Sequence, residues 1–256
     1  MGYQIAFIAV LIVFFTIPAS AYENHNNKVN IVIEGDQRCI TSNGTPNHDI
    51  GQFPRRGNSH QFRVQTIKVC VNAAPQKNGQ ITHQTRGSGI SVTGIIFRPG
   101  TAEWYDKNSL RMFSKRQSSG WNLEGMGSGN TLGMDHENAH VDNRGMYHYH
   151  AVSPSLSASL KNSLIGYAAD GFEIHYIGKK AQSSWQLKSG TRPTAPYDNH
   201  DGTYNQDYEY ISGLGNLDEC NGMMDDGQYT YFATDTYPFF PRCFVGKVSR
   251  DFLVRR

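Results

Sequence analysis

The apolar and polar positions fall into short runs of strand type, with almost nothing of helical period. Phe62-Arg63-Val64-Gln65-Thr66-Ile67-Lys68-Val69-Cys70 alternates apolar and polar residues, the period of two that gives a strand one buried and one wet face. Val29-Asn30-Ile31-Val32-Ile33-Glu34 reads as a further strand, and residues 91–97 as a more buried one that stops at Pro99-Gly100. Residues 146–152, 172–177 and 229–234 follow the same logic. Only 155–163, opening behind Pro154, has the look of a short helix. Asn-Gly, Asp-Gly and Gly-x-Gly turns separate these runs at short intervals. The expected fold is all-β with one or two short helices, a single sandwich- or barrel-like domain with long Gly- and Asn-rich loops. No Pro- or Ser-rich linker divides it, so one domain is expected.

One apolar run is of a different kind. Residues 5–17 are almost wholly apolar and are followed by Pro18-Ala19-Ser20-Ala21, the hydrophobic stretch and small-residue exit of a signal peptide cut after Ala21. The mature chain would be 22–256, secreted or periplasmic, with no membrane span once the signal is removed.

Export changes the meaning of the four cysteines, Cys39, Cys70, Cys220 and Cys243. An even set in an oxidising compartment is expected to form disulfides, and none lies in a Cys-x-x-Cys pair that would suggest a thiolate metal site. Three pairings exist, of which Cys39–Cys70 with Cys220–Cys243 closes the shortest loops.

Composition adds two restrictions. After residue 21 the chain has 10 Leu against 24 Ile plus Val, which favours strands over helices. Its 24 Lys and Arg against 22 Asp and Glu leave a net charge of +2, too small a field to attract nucleic acid. No Gly-x-Ser-x-Gly elbow, Walker loop or dinucleotide fingerprint is present.

The chemistry concentrates in one place. Four of the ten histidines, His136, His140, His148 and His150, lie within residues 135–150, together with Asp135, Glu137 and Asp142. On a strand, His148 and His150 share one face while Tyr147 and Tyr149 take the other. Two such imidazoles can converge on one divalent transition metal, with Zn, Cu, Fe and Mn all compatible with a His/carboxylate set. His140 is the first choice for a third ligand, with Asp135, His136 and Glu137 behind it, while Asp142 suits a turn cap or a partner of the ligands. The competing reading is a half-buried strand whose histidines bond backbone carbonyls without any metal. His48 with Asp49, Asp170 and His175 are possible neighbours of the site. Tyr and Trp rings among Gly- and Asn-rich loops supply a different alternative, a non-catalytic module for a glycan or surface polymer. There is also an internal echo: residues 142–151 and 225–233 each run from an acidic turn with Gly into Tyr-x-Tyr and then Ala.

Tyr147-His148-Tyr149-His150 resembles the signature of the YHYH domain family. The likeness extends through Thr41-Ser42-Asn43-Gly44-Thr45-Pro46-Asn47-His48-Asp49, Asn138-Ala139-His140-Val141, Leu164-Ile165-Gly166-Tyr167-Ala168-Ala169-Asp170-Gly171-Phe172 and Leu217-Asp218-Glu219-Cys220-Asn221-Gly222. It ends at Pro238-Phe239-Phe240-Pro241-Arg242-Cys243-Phe244, covering about 40–246. The resemblance implies an exported protein and brings no reaction with it. Its matching positions include His48, Asp49, His140, His148, His150 and Asp170, whereas His136 and Glu137 belong to no motif of the likeness.

Overall fold

A computed structural model describes residues 26–83, 85, 87–127 and 131–253; the expected signal peptide lies outside them. Strands β1 (Val29–Glu34), β2 (Gln37–Ser42) and β3 (Ile67–Asn72) form an antiparallel sheet. After β4 (Lys77–Thr82), β5 (Gly89–Ser91) and β6 (Ile96–Phe97) make a tight hairpin, and β7 (Gly100–Tyr105) lies between β8 (Phe113–Ser114) and β9 (Asn122–Glu124). A second hairpin, β10 (Ala139–Val141) with β11 (Tyr147–Tyr149), precedes helix α1 (Pro154–Ser159). A third joins β12 (Leu164–Ala168) to β13 (Glu173–His175). Next, β14 (Trp185–Leu187) pairs with β15 (Tyr208–Tyr210), and β16 (Gly222–Asp225) with β17 (Gln228–Phe232). Finally β18 (Phe244–Gly246) returns to β4. With 35% strand and 5% helix, the protein is all-β, as its sequence leads one to expect.

The central element is an eight-stranded sheet in the order β10-β11-β6-β5-β12-β13-β17-β16. It is open, with β10 and β16 at its edges, so the barrel alternative falls away. Ile90, Phe97, Tyr147, Tyr149, Ile174 and Tyr231 from this sheet are buried in one core with Ile40, Val71, Phe240 and Phe244. A second, smaller core gathers Trp121, Leu123, Leu132, Met134 and Tyr204. Both disulfides take the short-loop pairing, Cys39–Cys70 and Cys220–Cys243. No described helix is long and apolar enough to cross a membrane.

Several expected elements differ in extent, and for three of them the local reason is plain. Residues 91–97 are two strands rather than one. Gly94, at φ +82°, reverses the chain, and Ser91 closes the turn by accepting from Ile95 N through Oγ while its own N–H donates to Ile95 O. The strand expected from residue 62 begins at Ile67, because its partner β2 ends at Ser42 opposite Ile67. Beyond that point Gly44, at φ +65°, turns the partner away, and Arg63 and Gln65 donate instead to Gly145 O and Asn43 O. From Ile67 onward the alternation holds, with Ile67, Val69 and Val71 buried and Lys68 exposed. Helix α1 starts as expected, with Ser153 accepting from Leu156 N at its N-cap. It ends early, since Leu160 is extended and the Asn162 side chain accepts from Leu164 N to start β12.

Candidate metal centre

The β10–β11 hairpin assembles the histidines. Its turn, 142–145, is closed by Gly145 N donating to Asp142 O, with Gly145 at φ +81°. The Asp142 carboxylate caps it, Oδ1 accepting from Arg144 N at 2.9 Å and Met146 N at 3.1 Å. This turn sets a register that places His140 directly opposite His148. Residues paired across an antiparallel ladder share a face, and so do residues two apart on one strand. His140, His148 and His150 therefore project together, with ring centroids 4.7, 4.7 and 5.0 Å apart.

Each imidazole is held by its Nδ1. His140 Nδ1 lies 2.9 Å from Leu132 O, His148 Nδ1 3.0 Å from Met146 O, and His150 Nδ1 3.2 Å from Pro99 O. A carbonyl oxygen only accepts, so Nδ1 carries the proton in all three rings and Nε2 carries a lone pair. The Nε2 atoms of His140 and His150 are 3.2 Å apart. Two lone pairs at that distance have no proton to share. An ion bound tetrahedrally at Zn–N lengths of 2.0–2.1 Å would separate its ligand nitrogens by about 3.3 Å. One ligand atom from each of the three histidines fits within a 4.8 Å group.

Burial keeps the rings neutral. His148 and His150 are fully buried, which pushes both well below the usual imidazole range, helped by Arg98 and by the neighbouring imidazoles. His140 is brought down to about 4, again chiefly by burial. Neutral imidazoles bind a cation without first losing a proton.

The third lone pair already has a partner. Arg98, the residue after β6, donates Nη2 to His148 Nε2 at 2.8 Å and Nη1 to Asp142 Oδ2 at 3.2 Å. Asp142 thus caps the turn as expected, and reaches the histidines only through Arg98. Nothing in the spacing of the sequence singles out Arg98, because the parallel pairing of β11 with β6, His148 opposite Ile96, is what brings it to the site. Gly125 is a second unforeseen participant: a Cβ there would collide with the His150 imidazole. The cluster opens into a cleft of about 1010 Å3 whose wall also includes Asn122, Asn205 and Arg242. Arg242 is half-buried there against the buried Glu124, 2.6 Å away.

The other candidates take different places. Asp135 accepts from Gly51 N and the Tyr147 hydroxyl through Oδ2, and from Glu137 N and Ala139 N through Oδ1. It holds the tyrosine face of β11, the side away from the imidazoles. His48 lies on that side too, its Nε2 2.6 Å from the Tyr149 hydroxyl, and Asp49 is exposed beside it. Glu137 accepts from Ser153, Ser155 and the start of α1, and His136 is exposed at 3.5 Å from it. Asp170 and His175 are separated from β11 by β6 and β5 in the sheet. Asp170 accepts from the Tyr231 hydroxyl and Gly246 N, and His175 is tied to Ser163 and Glu173. Neither belongs to the group formed by His140, His148 and His150.

Comparison with known protein families matches residues 67–246 to the family described as YHYH protein. The chain belongs to the YHYH family. No curated protein and no solved structure matches it. In YHYH terms the signature tetrad divides by face: Tyr147 and Tyr149 enter the main core, and His148 and His150 meet His140 at the cleft.

Proposed function

We propose that this YHYH protein binds one divalent transition-metal ion through Nε2 of His140, His148 and His150. The observation that carries the reading is the shared anchoring: Nδ1 of all three rings sits against a backbone carbonyl, and one ligand atom from each ring lies within 4.8 Å of the others. A carbonyl that holds Nδ1–H fixes the ring and orients its Nε2 for coordination. An all-imidazole set suits Zn, Cu or Fe, with Mn the poorest match. When bound, such an ion with an open position supplies a Lewis acid and an acidified water.

The residues around it suit an anionic ligand, with hydrolytic or redox chemistry as the class of activity. Asp142 holds the Arg98 guanidinium at the site. With His148 Nε2 committed to a bound ion, Arg98 Nη2 would be free to donate to a ligand oxyanion. The placement of the chain outside the cell, with cleavage after Ala21 and one domain over about 40–246, belongs to the same proposal and is supported by the two disulfides.

Elemental analysis of the purified protein beside H148A/H150A tests the metal. About one equivalent of metal in the wild type and next to none in the variant is expected. A wild type without bound metal, and without thermal stabilisation by added Zn, Cu or Mn, would sink the reading. Arg98→Met separates the anion role. It is expected to keep the metal and to weaken the binding of azide to the Co- or Cu-loaded protein, read from the visible spectrum.

A further inference from the structure

The eight-stranded sheet repeats itself. Gly89-Ile90-Ser91-Val92-Thr93-Gly94-Ile95-Ile96-Phe97 and Gly166-Tyr167-Ala168-Ala169-Asp170-Gly171-Phe172-Glu173-Ile174 form the hairpins β5–β6 and β12–β13. Their turns coincide bond for bond. Ser91 N donates to Ile95 O and Ala168 N to Phe172 O, both at 2.8 Å, while Gly94 N donates to Ser91 O and Gly171 N to Ala168 O, both at 2.9 Å. Gly94 and Gly171 share the left-handed region at φ +82° and +97°.

The outer hairpins, β10–β11 and β16–β17, coincide as well. Asp135 Oδ1 accepts from the backbone N–H groups two and four residues on, and so does Asp218 Oδ1. Three residues after each aspartate stands a left-handed asparagine, Asn138 at φ 56° and Asn221 at φ 64°. The Tyr147 hydroxyl donates to Asp135 Oδ2 and the Tyr229 hydroxyl to Asp218 Oδ2, both at 2.8 Å. His150 N donates to Asn138 O and Phe232 N to Asn221 O, again both at 2.8 Å.

The halves are also joined alike. β11 runs parallel to β6, and β17 parallel to β13. Where the halves meet, Ile90 pairs with Tyr167, Gly89 with Ala168 and Ser91 with Gly166, so equivalent positions face one another as a twofold axis requires. Any tyrosine-rich hairpin would share a turn type. Chance supplies no reason for the same carboxylate, the same left-handed asparagine, the same parallel neighbour and a palindromic strand order together.

We infer that the sheet is an internal duplication, 89–151 and 166–233, with its axis at the Ile90–Tyr167 pair, and that only the first unit carries the cleft site. The register makes the correspondence definite. His140 pairs with His148 as Met223 pairs with Thr230. His150 corresponds to Phe232, and Arg98 to His175, which lies opposite Phe232. The positions alike in both units build turns and core: the aspartate, the asparagine, two tyrosines and the final alanine. Among the positions that differ are Arg98, His140, His148 and His150, the four that meet at the cleft. In the second unit Phe232 and Met223 instead pack with Ala181, Leu217 and Ile177 in a small apolar cluster. The duplicated scaffold keeps the signature tyrosines as framework in both units, while the group formed by Arg98 and the three histidines has no counterpart in the second, where His175, Met223, Thr230 and Phe232 stand instead. This conclusion holds whether or not the site takes a metal.

An exchange variant tests it in the full chain, with chelator present. R98H/H140M/H148T/H150F puts the second unit's residues at the matching positions of the first, and R98H/H140T/H148F/H150M puts the same residues at mismatched ones. The matched variant is expected to unfold cooperatively within about 5 °C of the metal-free wild type, and the mismatched one at least about 5 °C below the matched, a gap of one to a few kcal/mol for a domain of this size. A matched variant that fails to fold, or that is no more stable than its mismatched counterpart, overturns the duplication.

Discussion

At the scale of single residues, the site depends on groups without chemistry of their own. Gly125 has open backbone against His150, and Gly125→Ala forces the imidazole off its Nδ1 contact with Pro99 O. Overpacking of this sort costs about 1–3 kcal/mol. Zinc titration is expected to show affinity lowered at least tenfold while circular dichroism stays native-like. Asp170 offers a test of a different kind. Its Oδ2 is bonded but its buried Oδ1 has no partner, and burial raises its carboxyl to about 6. A raised carboxyl favours the protonated native state, so its stabilising contribution is full below about pH 4 and is lost as pH climbs through 6. Urea unfolding of wild type and Asp170→Asn from pH 4 to 7 should show the wild type losing up to about 3 kcal/mol relative to the variant across that window. In the metal-free protein the low value of His140 acts in the opposite sense: its contribution is present above pH 6.5 and is lost as pH falls toward 4. The comparison with the variant, in which His140 is unchanged, cancels this. Histidine spacing made His148, His150 and His140 legible beforehand. Arg98 and Gly125 were not, because both approach from strands or loops with no spacing relation to the signature.

At the scale of elements, the β10–β11 hairpin is the smallest unit that carries the site, and Asp142 couples its turn to its chemistry. One carboxylate oxygen caps the turn and the other holds Arg98. Asp142→Asn keeps an acceptor for the two backbone N–H groups, whereas Asp142→Ala removes it. Urea denaturation should find the alanine variant about 1–2 kcal/mol less stable than the asparagine variant. Both are expected to weaken the hold on Arg98 equally. The alternation of Tyr and His around 147–150 disclosed that two faces exist. It did not disclose which strand stands opposite, and Asp135, close in sequence to the histidines, serves the tyrosine face because a turn intervenes.

At the scale of the whole molecule, small sheets surround one open sheet, and one disulfide staples a peripheral sheet while the other closes a loop beside the open one. Cys39–Cys70 closes 31 residues between the adjacent strands β2 and β3, and Cys220–Cys243 ties the segment before β16 to the segment before β18 across 23 residues. Each is expected to contribute roughly 3 kcal/mol by restricting the unfolded chain. Replacing either pair by serine should lower the melting temperature by about 5–10 °C in calorimetry. The strand content was evident from the β-branched and aromatic runs, since strand propensity is local. The sheet order was not, since β11 beside β6 and β13 beside β17 are pairings distant along the chain.

The sequence by itself determined the class of fold, several of the strands, the cysteine pairing that closes the shortest loops among the three open ones, and the face on which His148 and His150 stand. All of these follow from period, composition and loop length, which are properties of neighbours along the chain. Tertiary structure decided the rest: that His140 meets them, that Arg98 completes the group, that Asp170 and His175 lie elsewhere, and that the two Tyr-x-Tyr hairpins are halves of one symmetric sheet. Those facts depend on register and on parallel pairing, which long-range packing chooses among many arrangements that the local pattern permits equally.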